Sequence, residues 1–267
     1  MGILNVTPDS FSDGGELYRE QKVDLDALLR RAQAMVDAGA ALLDVGGEST
    51  RPGAEVVTEE EELDRVLVAV EALAERFDVV ISVDTSTPKI MTEAARLGGG
   101  FLNDVRGFRR PGALHAAAAT GLPLCVMHMQ GEPSTMHIVS PEYLDVISDL
   151  REFFGERIGA CVEAGIATER IVIDPGFGFG KTAAQNFEML MRLGELSLMQ
   201  LPVLVGLSRK SMIASVLDRG PEDRLHASVG LAMIAVERGA RILRVHDVAA
   251  TVDALAMWRA LPRSLSE

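Results

Sequence analysis

Cysteine is almost absent from this chain. Only Cys125 and Cys161 occur in 267 residues, both in apolar surroundings. The spacing gives no disulfide framework and no cysteine zinc site, and the pair reads as reduced, buried thiols in a cytoplasmic protein. Long hydrophobic runs are missing too, since nothing approaches the roughly 20 residues of a membrane span. The N-terminus lacks the basic stretch and apolar core of a secretory signal. Positive charge is in deficit: 26 Lys and Arg against 39 Asp and Glu leave a net charge of −13. That balance argues against nucleic acid or an anionic membrane as a partner, while a local arginine cluster still permits a small anion. Aromatic residues are only 4% of the chain, and no linker or low-complexity segment divides it. A single domain over residues 1–267 is the expectation.

What is present is a repeating alternation. Short β-rich runs stand at 2–5, 41–45, 79–84, 101–105, 122–127, 171–174, 203–207 and 242–246, separated by longer stretches of helical period. One helix is predicted from the capping-box pair Thr58 and Glu61, with Leu63, Val66, Leu67, Val70, Leu73 and Ala74 on one face. Another is predicted to start at Ser140-Pro141. Gly39, Gly98, Gly121, Gly165 and Gly239 fall where helices should end. Short, wholly apolar strands joined by helices mean a parallel sheet buried on both faces. Eight units in about 250 residues favour a (β/α)8 TIM barrel over a doubly wound open sheet.

Polar residues cluster at the strand ends: Asn5, Asp44, Asp84, Asn103 with Asp104, His128, Asp174, Ser208 and His246. In a barrel those ends form the active-site face. The run Gly176-Phe177-Gly178-Phe179-Gly180-Lys181-Thr182 fails the phosphate-loop spacing and lacks the dinucleotide fingerprint, so it reads as a tight loop or a close backbone approach to a planar ligand. His128 and His246 have no zinc spacing and read as hydrogen-bonding strand-end histidines. Lys210, Arg244 and His246 converge on the rim after the last two strands, where barrels often hold phosphate. The first two loops, 5–15 and 46–53, are long and rich in Gly, Ser, Thr and Pro, as substrate-closing loops are. Pattern alone therefore gives a barrel enzyme for an anionic small molecule, without naming the reaction.

Eight segments carry a resemblance. They are MGILNVTPDSFSDGG (1–15), LLDVGGESTRPGA (42–54), ISVDTS (81–86), LNDVRGF (102–108), MHMQGEPSTM (127–136), IDPGFGFGK (173–181), GLSRKSMI (206–213) and RVHDV (244–248). In this order, each at a predicted strand end, the chain resembles the dihydropteroate synthase family of the bacterial folate pathway, a sulfonamide target. The resemblance implies a (β/α)8 barrel that joins p-aminobenzoate to 6-hydroxymethyl-7,8-dihydropterin pyrophosphate. It implies Asp84, Asn103, Asp174 and Lys210 as pterin ligands. Asn5, Thr50, Arg51, Arg244 and His246 would meet the pyrophosphate, with Asn5 also holding Mg2+. Thr50, Pro52, Phe179 and Ser208 would form the p-aminobenzoate pocket. Asp9 would steady a cationic pterin intermediate, with Arg51, Arg244 and His246 taking the leaving group in an SN1-like step. A homodimer is the family expectation. Relatives usually carry a segment ahead of the first strand, so the stability of the barrel floor is expected to depend on residues before Met1. Two alternatives remain: a methyltetrahydrofolate–corrinoid methyltransferase barrel, which has no use for a pyrophosphate cluster, and a catalytically silent pterin-binding paralogue.

Overall fold

Each apolar run becomes a strand because its only neighbours are other strands and the helices that cover them. A computed structural model of the chain describes residues 1–7, 17–19, 22–49, 57–131 and 143–261. In chain order the elements are β1 (Gly2–Asn5), β2 (Tyr18–Arg19), β3 (Lys22–Val23), α1 (Leu25–Asp37), β4 (Leu42–Gly46), α2 (Glu59–Arg76), β5 (Val80–Asp84), α3 (Pro88–Arg96), β6 (Phe101–Asp104) and α4 (Ala113–Thr120). They continue with β7 (Leu124–Met127), α5 (Val146–Glu163), β8 (Ile171–Asp174), α6 (Ala183–Met191), α7 (Gly194–Ser197), β9 (Val203–Val205), α8 (Ser211–Leu217), α9 (Leu225–Glu237), β10 (Ala240–Leu243) and α10 (Val248–Ala260). Eight strands form one curled parallel sheet in the order β1-β4-β5-β6-β7-β8-β9-β10. β2 and β3 pair separately as a small antiparallel ribbon, which no sequence pattern announced.

Just beyond the end of β10, Val245 reaches β1. Gly2 and Val245 form a parallel bridge, with Ile3 N–H donating to Val245 O at 3.1 Å and Val245 N–H to Met1 O at 3.0 Å. The last strand begins at Ala240, two residues before the predicted start, because its register against β9 shifts between Ala240 and Ile242.

Period-two alternation builds the layers of the concave face. Phe101, Cys125, Val172 and Leu204 form one apolar cluster beneath, and the next residue on the same face of three of these strands is Asn103, Met127 or Asp174. The larger core lies between sheet and helices, including Leu43, Val45, Val83, Leu102 and Val126. The α2 capping box is present, with Glu61 N–H donating to Thr58 Oγ1 at 3.2 Å and Thr58 N–H to Glu61 Oε2 at 3.0 Å. Its inner face also buries Glu62 and Arg65. α5 starts at Val146, where Asp145 caps it by accepting from Ser148 N–H at 2.8 Å; the predicted start at Ser140-Pro141 lies outside the described residues. The five predicted helix-ending glycines all adopt positive φ, as at Gly98 (φ 101°), where the chain turns back toward β6. Among the described residues no helix is long and apolar enough to cross a membrane.

Candidate active site

The C-terminal parts of β4, β5, β6 and β8 deliver carboxylates and an amide that are largely removed from the surface. Asp44 is fully buried, Asn103 and Asp174 nearly so, and the Asp84 side chain is 15% exposed. Burial raises the Asp174 pKa to about 6, against a hydrogen bond from Gly176 N–H (2.8 Å) and the nearby charges of Lys210, Arg244 and Lys181. Burial pushes Asp84 upward too, and the Arg244 guanidinium offsets part of that rise.

Arg244 supplies the countercharge directly. Its Nε donates to Asp44 Oδ2 at 2.6 Å and its Nη2 to Asp84 Oδ2 at 2.8 Å. It therefore faces into the well, where sequence reasoning had placed it on the rim with a leaving group. Two inward carboxylates with few other donors explain the difference. Lys210 stands close enough to Asp174 and Asp84 for its charge to offset them in part, while its Nζ lies 4.0 Å from the centre of the Phe179 ring; burial lowers its pKa to about 8.

His246 and Ser208 knit the last two loops together. His246 N–H donates to Ser208 Oγ at 3.2 Å, and its Nδ1 lies 2.9 Å from the same oxygen. Burial and the charges of Arg244, Arg209 and Lys210 hold the His246 pKa well below its usual value.

The glycine-rich loop after β8 is tight. At Gly176 (φ 69°) a Cβ would sit 2.0 Å from His128 O. Lys181 turns back under the loop, its Nζ reaching Gly176 O at 3.0 Å, Phe179 O at 3.1 Å and His128 Nδ1 at 3.0 Å. Burial lowers the Lys181 pKa to about 7 and holds that of His128 low. His128 also packs edge-on against Phe153, 4.8 Å between ring centres.

The structure thus brings together Asp84, Asn103, Asp174, Lys210, Phe179, Ser208, Arg244 and His246. Asn5 ends β1, with its Oδ1 and Asp84 Oδ2 both flanking Gly46. Asp9, Thr50, Arg51 and Pro52 lie outside the described residues. Asp44 and Lys181 are the side chains sequence reasoning left without a role, although both stood inside quoted motifs. Asp104, at the same level, is structural: it accepts from Ser86 Oγ and from Arg106 and Phe108 N–H, the latter two at 2.8 Å. Both cysteines are free and buried, as expected.

Among the described residues no group of three His, Cys, Asp or Glu side chains could hold a metal. An Asn amide oxygen is the kind of ligand Mg2+ accepts beside water and phosphate oxygens. Asn5 therefore fits a Mg2+ that arrives with a phosphorylated ligand, and a dedicated all-protein cage is not what these residues build.

Residues 1–246 match the family model of pterin binding enzymes. The dihydropteroate synthase of Escherichia coli is 53% identical over 260 residues, covering 97% of this chain and 90% of the relative. A Yersinia pestis dihydropteroate synthase structure with a sulfonamide drug superposes with a TM-score of 0.93 at 54% identity, covering 97% and 92% of the two chains. A Xanthomonas albilineans dihydropteroate synthase in complex with 7,8-dihydropteroate superposes with a TM-score of 0.86 at 44% identity, covering 98% and 94%.

Proposed function

This chain belongs to the family of pterin binding enzymes, and from that premise we propose that it condenses 6-hydroxymethyl-7,8-dihydropterin pyrophosphate with p-aminobenzoate, giving 7,8-dihydropteroate and pyrophosphate in folate biosynthesis. The observation that carries this reading is the convergence of three acceptor side chains, the buried Asn103 and Asp174 and the half-buried Asp84, with Lys210 and Phe179 beside them. The reading includes a single (β/α)8 barrel over residues 1–267, supported by the Gly2–Val245 bridge. The cytoplasmic homodimer is supported by the family resemblance.

A pterin offers an amino group and ring N–H groups on one edge. Ionised Asp84 and Asp174 and the Asn103 carbonyl accept from that edge, and Lys210 donates to the opposite, acceptor side. The carbon bearing the pyrophosphate adjoins an electron-rich ring, so departure of the leaving group produces a ring-stabilised cation. Arg244, His246, Arg51 and Thr50 meet the departing charge, which requires Arg244 to exchange at least one carboxylate for it. Mg2+ held by Asn5 and the diphosphate would add positive charge there. By the resemblance, Asp9 would steady the cation. An aromatic amine is neutral near physiological pH and needs no strong base, so the protein's task is to hold it against the cation and exclude water. Phe179 and Pro52 supply apolar walls for it, and Ser208 a hydrogen bond for its carboxylate.

A coupled pyrophosphate assay with both substrates and Mg2+, repeated without p-aminobenzoate, tests the reading. Pyrophosphate and dihydropteroate should appear together in equal amounts. Failure to form dihydropteroate refutes it.

A further inference from the structure

Asp44 is the buried side chain of the well that this mechanism does not use. It lies opposite Ser82 in the β4–β5 register, and its two oxygens are divided. Oδ1 accepts from Ser82 Oγ at 2.5 Å, while Oδ2 accepts from Arg244 Nε at 2.6 Å and lies 3.5 Å from the Asn103 amide nitrogen. That last distance is long, yet an amide beside a carboxylate has one favourable orientation. The NH2 group turns toward the carboxylate, since the reverse would set two acceptors face to face. Asn103 Oδ1 is then left buried without a hydrogen-bond partner among the described residues. Folded proteins leave such an atom unpaired where something outside the fold completes it.

We propose that Asp44 is a specificity-determining positioning residue: it turns Asn103 so that the carbonyl oxygen, not the amino group, is offered to the ligand. The edge formed by Asp84, Asn103 and Asp174 then offers acceptors only, and selects a heterocycle with a 2-amino group over one with a 2-oxo group. The inference rests on the reading of this well as the pterin site. Asp84 and Asp174, when ionised, accept in any orientation. Asn103 alone can reverse its polarity, because its amide has a donor end and an acceptor end. Asp44 removes that ambiguity. Arg244 keeps Asp84 at 2.8 Å if Asp44 is replaced, so the change does not strand a buried cation.

The test is calorimetric titration of 6-hydroxymethylpterin and its 2-oxo counterpart into wild type, Asp44→Val and Asp44→Asn, with circular dichroism to show each variant is folded. Wild type should prefer the 2-amino compound by at least about 100-fold, as sites built to hydrogen-bond a group reject its mismatch. Asp44→Val should cut that ratio at least about tenfold, because Asn103 can then turn its NH2 toward a 2-oxo group. Asp44→Asn keeps an oxygen for the Asn103 amide and should hold the ratio within about threefold. A purely structural role would weaken both ligands alike. A folded Asp44→Val with an unchanged ratio overturns the inference, as does an Asn variant that loses as much as the Val variant. Should Asp44→Val not fold, a neutron map of the wild-type pterin complex decides: deuterium on the Asn103 amide directed at Asp44 supports the proposal, and directed at the ligand overturns it. Wild type that binds neither compound overturns the pterin reading along with it, whereas a selective wild type beside an equally selective Val variant overturns this inference alone.

Discussion

Asp174→Asn should move two observables in opposite directions. In the folded protein burial raises the Asp174 pKa from 3.8 to about 6. A carboxyl whose folded pKa is raised binds its proton more tightly when folded. Its contribution to stability is therefore complete below the unfolded value and is lost as pH rises through the folded one. The shift is a little over two pH units, and each unit is worth about 1.4 kcal/mol, so an ionised Asp174 costs the ligand-free protein about 3 kcal/mol at pH 8. Asparagine keeps the oxygen that accepts from Gly176 N–H at 2.8 Å and carries no charge to desolvate. The variant should be more stable than wild type at pH 8 by several degrees in Tm, at about 2–4 °C per kcal/mol for a chain of this size. The gap should close as pH falls toward 4. Pterin binding should weaken by at least about 100-fold, because ligand N–H donors lose an ionic acceptor worth about 1.5–3 kcal/mol each. Wild-type pterin affinity should itself fall about tenfold per unit below pH 6. Thermal denaturation and titration calorimetry from pH 4 to 8 measure both effects. Undiminished pterin affinity, or a stability gap that does not vary with pH, would refute the reasoning.

Two further substitutions probe the rim and the glycine-rich loop. Arg244→Ala leaves the Asp44 and Asp84 carboxylates without their shared partner and removes a cation from the leaving group. Turnover in the pyrophosphate assay should fall at least about 100-fold, and a rate within a factor of two of wild type would exclude Arg244 from that role. Lys181→Met removes the donor shared by Gly176 O, Phe179 O and His128 Nδ1. The loop that carries the Phe179 ring loosens, so KM for p-aminobenzoate should rise about tenfold, equivalent to one charged hydrogen bond, with a much smaller change for the pterin substrate. Equal rises for both substrates in steady-state kinetics would contradict that assignment.

The α2 capping box, the glycine-ended helices and the apolar strands were legible because each depends on neighbours a few residues apart. Residues 2–5 and 171–174 became strands with the predicted bounds. Where boundaries moved, a distant partner moved them, as when β10 slipped against β9. The Tyr18–Arg19 and Lys22–Val23 ribbon carried too few residues for any period to register. The site divided along the same line. Sequence named Asp84, Asn103, Asp174, Lys210, Arg244 and His246, since polar residues at the ends of apolar strands in a parallel α/β chain point to the chemistry. Which way each side chain turns was outside its reach. Asp44 and Arg244 are 200 positions apart yet meet at 2.6 Å, and Lys181 meets His128 across 53 positions. Local pattern thus determined the elements and the chemical types at their ends. The curled sheet alone decided which charges neutralise one another, because countercharge in a buried well is set by distance through space, and that distance does not exist until the strands are side by side.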